Sequence, residues 1–440
     1  MPSNDMIAST VNGLQGASAS AVGAEVLVRS TSSPVIELSP APSPQVNEPE
    51  ASADELAVPG AIILGGAYGS LATARSLGRR GIPVWFVGDD HPLPHYSRYV
   101  TRHFSWDRSK PEAAVDLLCE MATTQGAKGW VLFPAGDPEV QLVAQHYKRL
   151  AKHFRLFTTP WEALVELNDK VQLHARARSL DIEVPAVYGS DASREAVRFP
   201  AVIKPRANAK YSQLTRAKAW RVDTAESLAE RLEEATRLVG ADGFLVQEMI
   251  PGGRSTQFSY AGLWNHGREV SSLVVRRSRQ FPADFGTSPF VETVDRPEIA
   301  EVARRLLDGV AFHGLVEMDF KYDARDEMYK PLDANTRVWA WIGLGAATGH
   351  DFPWLAFQLA TGAPIAAPAT TRPGRWVCLS HNLLSVLQQL VSERRLDRSA
   401  YRSLFLPSTS ATFAWDDPLP GFAEIPVLVP RLIRRLQRRR

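Results

Sequence analysis

Leu315-Val316-Glu317-Met318-Asp319-Phe320 and, after a short polar interruption, Pro331-Leu332-Asp333-Ala334-Asn335-Thr336-Arg337 are the two stretches on which the reading of this chain turns. Apolar and polar residues alternate through them, the period of a half-buried strand, and they read as adjacent antiparallel strands. That pairing gathers Glu317, Asp333 and Asn335, with Arg337 just beyond. Magnesium takes hard oxygen ligands and commonly needs only one or two carboxylates beside substrate phosphates, so the three side chains form a candidate Mg-ATP clamp. Arg337 would sit where phosphate charge builds up. A charged hairpin with merely solvated side chains explains the same alternation, so the neighbouring segments have to decide.

A chain of 440 residues is long for one domain and suggests two or three, with ample room for a buried core. Fifty Lys and Arg against 48 Asp and Glu leave a formal charge of +2, which advertises no nucleic-acid surface. The basic run 434–440 reads as a solvated end. Cys119 and Cys378 stand far apart without a C-x-x-C pattern, so the cysteines indicate neither a disulfide framework nor a zinc site and suit a reducing cytoplasm.

Residues 1–58, rich in Ser, Ala, Pro and Glu, never acquire a sustained apolar period and read as a disordered extension. They lack the charged start and apolar stretch of a secretory signal. Leu56 to Ala74 carries one charge-free run long enough to raise a membrane span. Pro59, Gly60, Gly65, Gly66 and Gly69 punctuate it, which fits a strand, a glycine turn and a helix start better.

A first domain over 59–160 follows from that strand-turn-helix. Ala61-Ile62-Ile63-Leu64 is the strand, Gly65 to Ser70 the turn, Leu71 to Arg80 the helix and Ile82 to Val87 the next strand, closed by Asp89 and Asp90. This is a βαβ pattern whose turn could cradle phosphate. The G-G-x-x-G spacing is not the full G-x-G-x-x-G of dinucleotide sites, and glycines serving only the turn explain it equally. A further strand, Trp130 to Phe133, ends at Pro134-Ala135-Gly136-Asp137, where open sheets bind ligands, making Asp137 a substrate-site candidate.

A second region, 161–366, opens with Trp161 and Asn168-Asp169-Lys170 before a helical stretch. Lys204 ends the apolar strand Phe199 to Pro205, either snorkelling from the sheet or aimed at a phosphate. Gly243 to Gly253 reads as a buried strand with an open backbone edge suited to an adenine ring.

In this order the segments resemble the ATP-grasp superfamily, and within it the carboxylate-amine ligases of the D-aspartate ligase group, over roughly Ala61 to Gly362. The resemblance implies an α/β chain of ATP-grasp architecture with an N-terminal Rossmann-like pre-ATP-grasp domain. By position it implies that Lys170 and Lys204 contact nucleotide phosphates and that Gln247, Glu248 and Ile250 hold adenine and ribose. Glu317, Asp333 and Asn335 become the metal ligands, Asp333 standing where the family more often has Glu. Arg337 and Arg279, the latter in Arg279-Gln280-Phe281-Pro282, become the catalytic cations. The cofactors implied are ATP and Mg2+, with Mn2+ as a substitute, and the partners are a small carboxylate and an amine, with no nucleic acid and no membrane span. A homodimer in the cytoplasm is compatible with this.

One departure from the family is the loop Arg206 to Ala217, which contains no glycine where many relatives close a glycine-rich lid. Its Arg206, Lys210 and Arg216 could supply charge instead. Gly343 to Gly349 has the wrong spacing for a nucleotide loop and reads as a structural turn, and His91 and His95 read as surface residues in a Pro-rich loop. The region 367–440 reads as an appended part whose amphipathic run Leu383, Leu384, Leu387 and Leu390 packs on the core. The activity implied is an ADP-producing, Mg-ATP-dependent ligation of a carboxylate to an amine through an acyl phosphate. A nicotinamide-dependent oxidoreductase built on Gly65 to Asp90 and a noncatalytic ATP-binding relative are the alternatives.

Overall fold

The computed structural model describes residues 59–427 apart from 90, 108, 190–195, 207–218, 283–284, 367–369 and 406. The extension 1–58, most of the glycine-free loop with Lys210 and Arg216, Asp90 and the basic run 434–440 lie outside the described residues.

The apolar tetrad Ala61–Leu64 (β1) is completely buried between two parallel neighbours, Val84–Val87 (β2) and Val131–Pro134 (β4), and Arg102–Phe104 (β3) completes the order β3-β2-β1-β4. Unbroken apolar runs of this kind belong inside parallel sheets covered on both faces. Gly65 and Gly66 then take φ of +64° and +78°, the left-handed region that favours glycine. Helix Tyr68–Gly78 starts behind them. A Cβ on Gly69 would stand 2.5 Å from the Trp339 carbonyl oxygen and 2.8 Å from Val338 Cγ1. The chain's own backbone therefore crowds this helix start, where a dinucleotide phosphate would have to approach.

A second sheet is antiparallel, in the order β5-β8-β6-β7, from Val187–Tyr188 (β5), Ala201–Pro205 (β6), Trp220–Val222 (β7) and Phe244–Glu248 (β8). Helix Ala225–Val239, started by a Thr224–Ser227 capping box, buries Leu228 and Ala235 against Ile203, Val222, Phe244 and Val246. Strand β8 lies between β5 and β6, paired along its length with β6 and at Val246 and Gln247 with β5, so within the stretch 243–253 expected to offer an open edge these residues are already paired on both sides.

The third sheet has seven strands. They are Gln257–Asn265 (β9), Arg268–Phe281 (β10), Thr287–Thr293 (β11), Gly314–Asp323 (β12), Met328–Asn335 (β13), Arg375–Val377 (β14) and Thr409–Ser410 (β15), ordered β13-β12-β9-β10-β11-β14-β15. Along β12 the even-numbered Val316, Met318 and Phe320 enter a core with Leu173, Ile299 and Leu306, while Leu315 on the other face joins Ile63, Phe133 and Trp339. The alternation thus sends Glu317 and Asp319 toward the face shared with the first sheet.

Residues after 367 do not merely pack on this core. Strand β14 pairs with β11 and β15 pairs with β14, so they extend the large sheet. Helix Leu379–Glu393 is turned opposite to the expectation. It buries Asn382, Ser385, Val386 and Gln389, while Leu383, Leu387 and Leu390 are about half exposed. The polar face is inward because it meets buried polar groups: Asn382 donates to Ser403 and Ser385 to the Gln280 carbonyl.

Further on, Asp417 ties this region to the first sheet. It is 1% exposed and accepts from Arg75 Nε at 2.9 Å, Ser97 Oγ at 2.7 Å and the Arg98 amide at 2.9 Å. Arg75 is itself 5% exposed. Asp417→Ala would strand a buried guanidinium, and chemical denaturation should register a loss of about 3–5 kcal/mol. A loss below about 1 kcal/mol, the size typical of a surface ion pair, would show that the joint carries little of the fold.

Candidate active site

Strand register builds the site. Glu317 lies opposite Asn335 and Asp319 opposite Asp333, which puts three carboxylates and an amide on one sheet face. Immediately beyond, β13 carries one extra residue, a bulge that accommodates Pro331 inside a paired strand. Leu332 in this irregular stretch turns its carbonyl to accept from Lys204 Nζ at 3.3 Å. Trp341 Nε1 donates to Glu317 Oε1 at 2.6 Å, and Asn335 Nδ2 approaches Glu317 Oε2 at 3.5 Å.

Four cations ring these acids. Lys170, 4% exposed, begins a helix capped by Asp169, whose carboxylate accepts from the Val171 amide, and its Nζ lies 3.2 Å from Asp333. Arg337 Nε donates to Asp137 Oδ1 at 2.6 Å, and its Nη2 reaches Asn335 at 3.4 Å. Arg277 Nη1 meets Asp319 at 2.5 Å, and Ser259 Oγ donates to the same carboxylate at 2.7 Å. Lys204 comes from the end of β6.

The electrostatics are strained in two opposite directions. Burial, and then the Asp319 carboxylate, hold Glu317 above the usual carboxylate range against the pull of Arg277 and Arg337. Burial, and then Lys170, bring Lys204 down to about 7 against Asp333 and Asp319. Burial opposes the charge on Arg337, yet Asp137, Glu317 and Asp333 outweigh it and raise its pKa. A divalent cation among the acids would relieve the first strain and polyphosphate beside the lysines the second. The hard-oxygen donor set fits magnesium.

Of the residues expected to hold adenine and ribose, Gln247 and Ile250 are buried, and the Gln247 amide lies 3.4 Å from His174 Nδ1. Glu248 is paired with Arg325 and accepts from the Ala186 amide at 3.4 Å. His174 is fully buried; burial first, then Lys204, lower its pKa to about 3, so it is neutral at ordinary pH.

Arg279 is not brought to the acidic face. The β10–β11 register gains a residue between Arg276 and Arg279, which sets Arg279 beside Phe290 and on the face opposite Arg277. Its guanidinium is fully buried and donates to Gln389, Ser385 and Ser399. The resemblance in Arg279-Gln280-Phe281-Pro282 located the right strand and missed the bulge. Arg277 is the cation that reaches the site from β10, and Asp319 is its acidic partner. Asp319 was visible in the alternation of 315–320, two residues after Glu317, whereas Arg277 and His174 carried no sequence signal. The short helix Gly343–Thr348 stands where a structural turn was expected.

These placements separate the two arginines experimentally. Under the ligase reaction proposed for this site, Arg277→Ala should lower ATP turnover per folded molecule by roughly 100-fold or more, as loss of a charge-stabilising donor does, and should also cost stability because Asp319 loses its cation. Arg279→Ala should cost about 2–3 kcal/mol of stability and leave turnover per folded molecule close to wild type. The reverse pattern would restore Arg279 to the site.

No protein-family model matches the chain. It is 21% identical over 270 residues to D-aspartate ligase from Enterococcus faecium, a match spanning 57% of this chain and 64% of that enzyme, so just under two thirds of the relative is covered. The L-amino acid ligase of Bacillus licheniformis superposes with a TM-score of 0.56 at 15% identity, over 72% of this chain and 80% of that one. The biotin carboxylase domain of Hydrogenobacter thermophilus 2-oxoglutarate carboxylase, solved with MgADP and bicarbonate, gives 0.55 at 15% identity over 72% and 73%. Together with the register and sheet order above, these likenesses establish that the chain has the ATP-grasp fold, preceded by a Rossmann-like parallel sheet.

Proposed function

We propose that this chain is a Mg-ATP-dependent ligase that joins a small carboxylate to an amine through an acyl phosphate. The observation that carries the reading is the face of β12 and β13, where Glu317, Asp319, Asp333 and Asn335 are ringed by Lys170, Lys204, Arg277 and Arg337. The similarity to D-aspartate ligase supports the same class of chemistry.

Glu317, Asp333 and Asn335 would hold magnesium, whose positive charge would offset that of the phosphates during transfer. Lys170 and Lys204 are point charges for the phosphates, and the arriving anion restores the full charge of Lys204. Gln247, Glu248 and Ile250 would border the adenine and ribose, and the Glu248 carboxylate, which already accepts from Arg325, has further lone pairs with which to accept a ribose hydroxyl. In the first step a carboxylate oxygen bonds to the γ-phosphorus and the bond to ADP breaks. In the second the amine nitrogen bonds to the carbonyl carbon, the bond from that carbon to the phosphate oxygen breaks, and the amine's proton passes to the departing inorganic phosphate. Arg277 and Arg337 stabilise the negative charge that develops in both. Asp137, at the carboxyl end of β4, fixes the Arg337 fork, which is a positioning role.

Manganese as a substitute for magnesium, a homodimeric assembly and a cytoplasmic setting complete the reading, the last supported by two cysteines that are not bridged. Among the described residues no helix is long and apolar enough to cross a membrane. The oxidoreductase alternative loses support at Gly69, where Val338 and Trp339 crowd the helix start.

Hydroxylamine tests the chemistry because it is small and strongly nucleophilic. With the correct acid, Mg-ATP and hydroxylamine, a hydroxamate, ADP and phosphate should form in equal amounts. Glu317→Gln should lower the rate by roughly 100-fold or more. AMP and pyrophosphate as products would replace the acyl phosphate with an adenylate and overturn the proposal.

A further inference from the structure

Apart from those acids, three chain segments converge on a second cluster. Cys378 is the N-cap of helix Leu379–Glu393, and His381 stands one turn further on. Glu424 enters from the helical segment 419–427. Cys378 Sγ lies 3.3 Å from His381 Nδ1 and 3.4 Å from Glu424 Oε1, and one ligand atom from each residue lies within 4.8 Å of the other two. Cys378 is 2% and Glu424 5% exposed, with His381 half-buried between them.

A plain hydrogen-bonded cluster accounts for this poorly. Glu424 accepts from Ser380 Oγ at 2.5 Å, Thr412 Oγ1 at 2.8 Å and the Cys378 thiol, all neutral donors. Among the described residues no lysine or arginine forms an ion pair with it. A buried carboxylate without a cation is costly, and a soft sulfur beside it narrows the cation that would compensate. Tetrahedral zinc, with bonds of about 2.3 Å to sulfur and 2.0–2.1 Å to nitrogen or oxygen, places neighbouring donors about 3.3–3.6 Å apart. For sulfur beside nitrogen or oxygen that geometry gives about 3.5–3.6 Å, and the separations of 3.3 and 3.4 Å from the sulfur lie within about 0.3 Å of it.

We propose that Cys378, His381 and Glu424 form a zinc site, with the fourth position on the side of the Tyr68 hydroxyl, which lies 3.3 Å from His381 Nδ1. Thr412 orients the Glu424 carboxylate from behind, and the rings of Tyr68, Trp376 and Phe281 shield the site. Zinc displaces the thiol proton and bonds to the thiolate. By joining residues 378–381 to 424 it clasps the end of the described chain onto the large sheet and the start of helix Tyr68–Gly78. A search for paired cysteines misses such a site, because it has one cysteine, a histidine three residues later and a distant acid.

Cobalt tests this on the intact full chain. Metal-free protein titrated with Co2+ should develop a thiolate-to-cobalt charge-transfer band that saturates at one ion per chain, and one equivalent of Zn2+ should abolish it. The band separates this site from the oxygen-only acids of β12 and β13. Cys378→Ser should remove the band and weaken zinc binding by roughly 100-fold or more, while Cys119→Ser leaves both unchanged. Wild-type protein that gives no charge-transfer band, or a band that survives Cys378→Ser, would overturn the proposal, and the wild-type titration decides even if the variant fails to fold.

Discussion

The pairing of β12 with β13 is the constraint on which the site depends. Because Glu317 faces Asn335 and Asp319 faces Asp333, four oxygen-bearing side chains share a surface on which Glu317 and Asn335 are buried and Asp319 and Asp333 partly so. Such a surface is unfavourable unless cations surround it, and Lys170, Lys204, Arg277 and Arg337 arrive from four different segments. A slip of one residue would exchange Glu317 and Asp319 for Val316, Met318 and Phe320 and would empty the core against helix Pro297–Leu307. Core packing therefore protects the register, and the register protects the chemistry.

The remaining architecture aims cations at this face. Asp169 caps the helix that starts with Lys170 and also accepts from Arg206 at 2.6 Å, linking that helix to the end of β6. Asp137 at the end of β4 holds Arg337, so the parallel sheet contributes to a site built mainly on the antiparallel one. Close approach at Gly69 joins the same two sheets through Val338 and Trp339.

Local pattern made part of this legible. Alternation in 315–320 and 331–337 identified two strands and their acids, and the buried run 61–64 with its glycine turn identified the parallel sheet. Features that depend on one inserted residue or on a distant partner were not legible. The bulge that turns Arg279 away from Arg277 leaves no mark in composition or period. The helix 379–393 looked like an ordinary amphipathic element whose leucines face inward. Its inward face is instead chosen by Arg279, Gln280 and Ser403, buried polar groups far away in sequence. The edge of β8 looked open because β5, only two residues long, is too short to announce itself.

The central claim is that this charged face is a joint site for a divalent metal and a nucleotide triphosphate. Calorimetric titration with a non-hydrolysable ATP analogue, with and without magnesium, measures that most directly. The account predicts saturable binding at least tenfold tighter with magnesium, with the magnesium effect lost in Asp333→Asn. Equal affinity with and without the metal, or an undiminished magnesium effect in Asp333→Asn, would contradict it.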